Sequence, residues 1–157
     1  MTPSQARFPV VDAHATCALA QRFGTILGPG DVLLLEGEIG AGKTHFARCL
    51  IQSLLTVAED VPSPTFTLVQ TYDTRSGEVW HADLYRLSDP DQCAELGLTE
   101  AFNSAICLVE WPDRLAELAP DTALTLTFAP GPAEESRIIT LRWTDPRWDP
   151  RLAQVAA

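Results

Sequence analysis

The chain has 157 residues and a mass of 17.1 kDa, the usual size of one domain, and a chain of that length buries about 70% of the surface its unfolded form exposes. With 46% hydrophobic residues it can fill an interior without disulfide or metal staples, which excludes a disordered segment and a stapled mini-protein. Lys and Arg number 11 against 21 Asp and Glu, a net charge of −10, and no two basic residues are adjacent, so unaided binding to a nucleic-acid backbone or an anionic membrane is not expected.

No basic-then-apolar signal precedes Phe8, and the longest uninterrupted apolar run, Ala105 to Val109, is far shorter than a membrane-spanning helix requires. Cys17, Cys49, Cys93 and Cys107 are widely spaced with no CxxC pair, and each lies in an apolar or helical stretch. The expectation is a soluble cytoplasmic protein with four reduced, buried thiols.

Internal repeats are absent, and Pro/Gly clusters punctuate elements without separating domains, which predicts one domain over residues 1–157. A short strand at Phe8–Val11, weakened by Pro9, leads to Asp12, which can cap a helix carrying Ala15, Ala18, Leu19, Phe23, Ile26 and Leu27 at helical spacing before Gly28-Pro29-Gly30. Val32–Leu35 is apolar at every position, as in a parallel strand covered on both faces. A Gly-rich turn follows, then a helix from about Gly42 to Leu55 with Phe46, Ala47, Leu50, Ile51 and Leu54 on one side.

Phe66–Tyr72 and Val79–Leu84 read as an antiparallel pair joined by Asp73–Gly77. Ser88 and Asp91 form a capping-box pattern for a short helix over Gln92–Leu96 that Gly97 stops, and Thr99 is a candidate cap for another turn. Ala105–Val109 is a second buried strand, ending in Glu110, Trp111 and Pro112 as a helix begins toward Leu118. Alternation over Leu124–Phe128 and Ile138–Trp143 predicts a terminal hairpin. The tail from Thr144, with Pro146 and Pro150, is expected to be a loosely ordered extension over residues 144–157.

The run Gly37-Glu38-Ile39-Gly40-Ala41-Gly42-Lys43-Thr44 fits G-x-x-x-x-G-K-[ST] between a buried strand and an amphipathic helix, the context that pattern needs. Its backbone N–H groups can turn inward around phosphate oxygens, with the positive end of the helix aimed at the same anion. Lys43 adds a mobile charge, and the Thr44 hydroxyl suits Mg²⁺, which prefers oxygen ligands. A carboxylate at the end of a buried strand completes such a metal site, and Glu110 has that place, with an ion pair to Arg114 as its alternative. Asp83 competes for the role. It shares a strand face with His81, for which a structural hydrogen bond is favoured over metal ligation. Val61-Pro62-Ser63-Pro64-Thr65 sits where nucleotide-sensing switches commonly lie, with a rigid surface loop as the plain alternative. Trp111 is placed to gate nucleotide, bind a partner or pack in the core.

Four motifs together resemble the TsaE (YjeE) family, the small ATPases of bacterial tRNA threonylcarbamoyladenosine synthesis. They are GEIGAGKT at Gly37–Thr44, SPTFTLV at Ser63–Val69, HADLYRL at His81–Leu87 and ICLVEWP at Ile106–Pro112, in the family's order and spanning most of the chain. The resemblance implies a three-layer α/β/α fold of the P-loop NTPase type with a mixed, partly antiparallel sheet. It also implies ATP and Mg²⁺ as ligands, and action with the TsaB and TsaD proteins on the modification of adenosine 37 of tRNA. By the same resemblance Lys43 and Thr44 hold phosphate and Mg²⁺, Glu110 is a metal ligand, Asp83 supports hydrolysis and Trp111 matters for activity. Thr16 and Arg137 match the family's adenine-side positions. His45 departs from the hydroxyl residue often found after the phosphate-loop Thr, and Ala119–Glu135 fits no family motif.

Hydrolysis is expected to be slow in isolation and stimulated by partners, with Asp83 orienting the attacking water. A small-molecule kinase and a non-hydrolysing nucleotide-dependent binding module are the other readings; the scattered arginines weigh against the kinase, which needs an Arg-rich acceptor pocket.

Overall fold

A computed structural model describes residues 3–156; residues 1–2 and 157, the ends of the expected domain, lie outside it. The centre is a seven-stranded sheet in the order β1-β7-β6-β2-β5-β4-β3. Its strands are β1 (Ser4–Val10), β2 (Val32–Gly37), β3 (Val69–Thr74), β4 (Gly77–Asp83), β5 (Ile106–Glu110), β6 (Leu124–Pro130) and β7 (Arg137–Trp143). Strands β4, β5, β2 and β6 run parallel, whereas β3, β7 and β1 each pair antiparallel with a neighbour.

The two all-apolar runs are central strands, and their period of two divides them between faces. Leu33, Leu35, Ile106 and Leu108 point to one core beneath α1 (Ala13–Gly24), α2 (Lys43–Leu54) and α5 (Trp148–Ala156). Val32, Leu34, Cys107 and Val109 point to the other, beneath α3 (Asp91–Glu95), α4 (Leu98–Ala101) and a 3₁₀ segment at Pro112–Leu118. The sheet with helices on both sides is the three-layer α/β/α arrangement of the P-loop NTPase fold. In the first core Phe46 packs edge-on against Phe23 and Phe128, with centroids 5.7 and 5.5 Å apart.

Several local expectations are corrected. The tail is ordered: α5 buries Trp148, Leu152 and Val155 against α1 and the sheet, and Trp148 Nε1 donates to the Thr122 carbonyl at 2.8 Å. Pro150 is tolerated because it falls in the first turn, where its missing N–H has no helical partner. Phe66 is not in a strand; residues 64–67 form a turn closed by Leu68 N–H to the Pro64 carbonyl at 2.7 Å, and β3 begins only at Val69. Ser88 does not cap α3, whose N-cap position is Pro90, and α4 starts from Gly97 without help from Thr99. The first helix ends at Gly24, short of Gly28, while Asp12 caps its start by accepting from Ala15 N–H at 2.8 Å. Cys17 and Cys49 are not free thiols but a disulfide joining α1 to α2, whereas Cys93 and Cys107 are free and buried.

Candidate nucleotide site

The carboxyl ends of three parallel strands set the site: β2 ends in Gly37, β4 in Asp83 and β5 in Glu110. A Cβ on Gly37 would meet the Phe128 carbonyl at 2.8 Å, so only glycine lets β2 turn away so close to β6. Gly42, at φ +106, then swings the chain into α2, whose N-terminus carries no side-chain cap. The first N–H groups of α2 are therefore directed at the loop, with the positive end of the helix dipole behind them.

Lys43 and Thr44 open α2 and face the strand ends. Lys43 Nζ donates to the Gly37 carbonyl at 2.5 Å and lies 3.5 Å from the centre of the Trp111 ring. Burial lowers its pKa, and the charges of Glu110, Asp83, Glu38 and Asp113 act in the opposite sense. The Thr44 hydroxyl donates to Glu110 Oε1 at 2.7 Å, and Glu110 Oε2 is 2.7 Å from His81 Nε2. Both His81 and Glu110 are fully or nearly fully buried, at 0% and 2% exposure. His81 thus orients the carboxylate from behind, as expected of a structural hydrogen bond. The alternative partner, Arg114, has Nε 3.9 Å from Asp113 Oδ2.

Asp83 is the register neighbour of Glu110. Its Oδ1 accepts from Tyr85 N–H at 3.0 Å and its Oδ2 from the Thr65 hydroxyl at 3.2 Å; Thr65 is itself 2.8 Å from the Ser63 hydroxyl. The Ser63–Thr65 segment is therefore hydrogen-bonded to a carboxylate of the site. Trp111 adopts φ +58, a left-handed conformation rare for a bulky residue, and its ring lies 4.9 Å from that of Tyr85.

Ile39, Gly40, Gly42, Lys43, Thr44, His45, Thr65, Asp83, Tyr85, Glu110 and Trp111 enclose a cavity of about 480 Å³, of the size of a small-ligand site. Glu38 and Ala41 instead line an adjoining recess of about 250 Å³ with Arg137. Arg137 donates from Nε to the Ala41 carbonyl at 3.3 Å, which sets it against the outer side of the loop. Thr16 is buried on α1, its hydroxyl donating to the Asp12 carbonyl at 3.3 Å, and it does not line the cavity. His45 and Tyr85 were missed as cavity residues. Tyr85 carried a faint signal, two positions beyond Asp83 and hence close to the same strand end.

The donor set suits a hard cation. Thr44 and Glu110 converge two oxygen donors beside Asp83, and the one imidazole in contact with Glu110 is spent on orienting it. Hard oxygens next to a lysine and an uncapped helix start fit Mg²⁺ with a polyphosphate.

Fold and loop together define an α/β protein with the three-layer fold of P-loop NTPases, its G-x-x-x-x-G-K-[ST] run joining β2 to α2. A profile of the family described as "Threonylcarbamoyl adenosine biosynthesis protein TsaE" matches residues 10–139, and the chain belongs to that family. It is 42% identical over 103 residues to the "tRNA threonylcarbamoyladenosine biosynthesis protein TsaE" of Rickettsia felis, a match covering 66% of this chain but 60% of that protein. It is 35% identical over 135 residues to the protein of the same name from Bacillus subtilis, covering 85% and 84% of the two chains. A crystal structure of Bacillus subtilis YdiB superposes with a TM-score of 0.81 at 28% identity, over 99% of this chain and 97% of that one.

Proposed function

We propose that this chain is an Mg²⁺-dependent ATPase of tRNA threonylcarbamoyladenosine synthesis, slow on its own and stimulated when it acts on the TsaB–TsaD complex. The observation that carries the ATPase reading is the convergence of Lys43, the Thr44–Glu110 pair and Asp83 on one cavity. The pathway rests on the family and on the names of its relatives.

The uncapped start of α2 and the loop amides bind the phosphates, and Lys43 moves its charge from the Gly37 carbonyl to them. Thr44 and Glu110 would hold Mg²⁺, which supplies charge neutralisation for phosphoryl transfer. Asp83, fixed by Thr65 and the Tyr85 amide, orients the attacking water and accepts its proton. Trp111 and Tyr85 form the apolar wall that limits bulk water. Because Thr65 reports on Asp83, a partner that contacts the Ser63–Thr65 segment can stimulate turnover by setting that carboxylate.

Steady-state ATP hydrolysis is measured with the chain alone and with purified TsaB and TsaD, scoring tRNA modification in the same reactions. A partner-dependent rise in both is expected. No rise in either would overturn the reading, and transfer of labelled phosphate to a small-molecule hydroxyl would favour a kinase.

A further inference from the structure

Cys17 and Cys49 each sit on the second turn of their helix, with Cα atoms 5.3 Å apart, within the range a disulfide spans without moving the backbone. They differ from the other two cysteines. Cys93 and Cys107 are buried, and burial pushes both thiols up, that of Cys107 to about 12, which leaves them unreactive. Cys17 is half-buried, so a small oxidant can reach it, and Cys49 beneath it touches a polar group. That group is His45, one turn earlier on α2, whose Nε2 is 3.8 Å from Cys49 Sγ and 2.9 Å from the Ala13 carbonyl. With a carbonyl as its nearest neighbour, Nε2 carries the proton and donates it to Ala13, tying α2 to the start of α1.

The two sulfurs and the imidazole nitrogen lie within 4.8 Å of one another, which also suggests a soft metal site. Two features weigh against it: the His45 nitrogen is committed to Ala13, and a structural zinc site needs a fourth donor.

We propose that Cys17 and Cys49 are a reversible, peroxide-oxidised thiol pair whose closure fastens α1 to α2 beside the phosphate loop and tightens nucleotide binding. The second half of this rests on the nucleotide-binding reading above. The Cys17 thiolate attacks a peroxide oxygen, the O–O bond breaks, and hydroxide leaves a sulfenic acid on Cys17. The Cys49 thiolate then attacks that sulfur, forming the S–S bond as the S–O bond breaks and a second hydroxide departs. The two thiol protons convert both hydroxides to water, so the cysteines lose two electrons and the peroxide gains them. A dithiol reductant reverses the closure. The link acts on the site because α2 opens with Lys43 and Thr44, while His45 both lines the cavity and bonds to the first residue of α1. Tying the helices together holds this wall in one arrangement before nucleotide arrives.

The whole chain is reduced with a dithiol, then treated with stoichiometric hydrogen peroxide, and its thiols are counted and its crosslinked peptides mapped. Affinity for a fluorescent ATP analogue with Mg²⁺ is measured in both states, for the wild type and for Cys17→Ser, and zinc is titrated into the reduced protein. The 4 free thiols of the reduced chain should fall by one pair within each monomer, and nucleotide affinity should rise by about threefold or more and return on reduction. Cys17→Ser should bind nucleotide equally with and without peroxide. A failure to crosslink, a link between chains, stoichiometric zinc binding by the reduced protein, or closure with unchanged affinity would each overturn the proposal. Loss of nucleotide binding in every state would sink the ATPase reading and the tightening with it, while the thiol count still decides whether the pair closes.

Discussion

Lys43 is held by a carbonyl and an indole ring while four acidic groups surround it, and burial works against its charge. Its ammonium therefore gains most from a phosphate, and Lys43→Ala should abolish ATP binding in an equilibrium titration while leaving the fold intact. Asp83 is different because its carboxylate contacts Thr65 and Tyr85, not Lys43 or Thr44. Asp83→Asn keeps the shape and removes the proton acceptor, so turnover should drop by about 10²–10⁴-fold with nucleotide affinity nearly unchanged. Unchanged turnover would move the water-orienting role to Glu110 or to a partner. The strand–loop–helix geometry around Lys43 was legible from Gly37–Thr44, since those residues are contiguous. The His81 contact to Glu110 was foreseen only as an unspecified hydrogen bond, because pairing β4 with β5 is a property of the sheet.

Among the elements, the ones that periodicity marks most strongly were readable: β2, α2, β5 and the β6–β7 hairpin. In each, the apolar spacing and the final packing say the same thing. The C-terminal helix was not readable, since two prolines flank or enter it and just three buried anchors define its face. Those anchors matter. Trp148→Ala should cost about 3–5 kcal/mol in chemical denaturation, the usual range for emptying an aromatic core position. A disordered tail would instead leave the midpoint where it is. The start of α1 is the converse case, a cap evident in the sequence and present in the fold. Asp12→Ala should lower stability by about 1 kcal/mol. The Phe66 strand failed because a turn at Pro64 carries the aromatic ring outward to 80% exposure, and alternation alone does not distinguish a strand from such a turn.

At the scale of the whole molecule, the net charge of −10 sets what the isolated chain does with RNA. It should show no retention of tRNA at physiological salt in a filter-binding assay. Among the described residues no helix is long and apolar enough to cross a membrane. The pairing of Cys17 with Cys49 belongs to this scale too, because widely separated cysteines reveal nothing until two helices are laid side by side. So does Asp31, buried just ahead of β2, whose Oδ2 accepts from Arg151 Nη1 at 2.7 Å and from Gly28 N–H at 2.8 Å. Arg147 adds a second guanidinium 3.7 Å from Oδ1. The far end of the chain is thereby bolted, across 120 residues of sequence, to the root of the strand that delivers the phosphate loop. An affinity tag, a fusion partner or a protease acting on the last helix would be felt at that root.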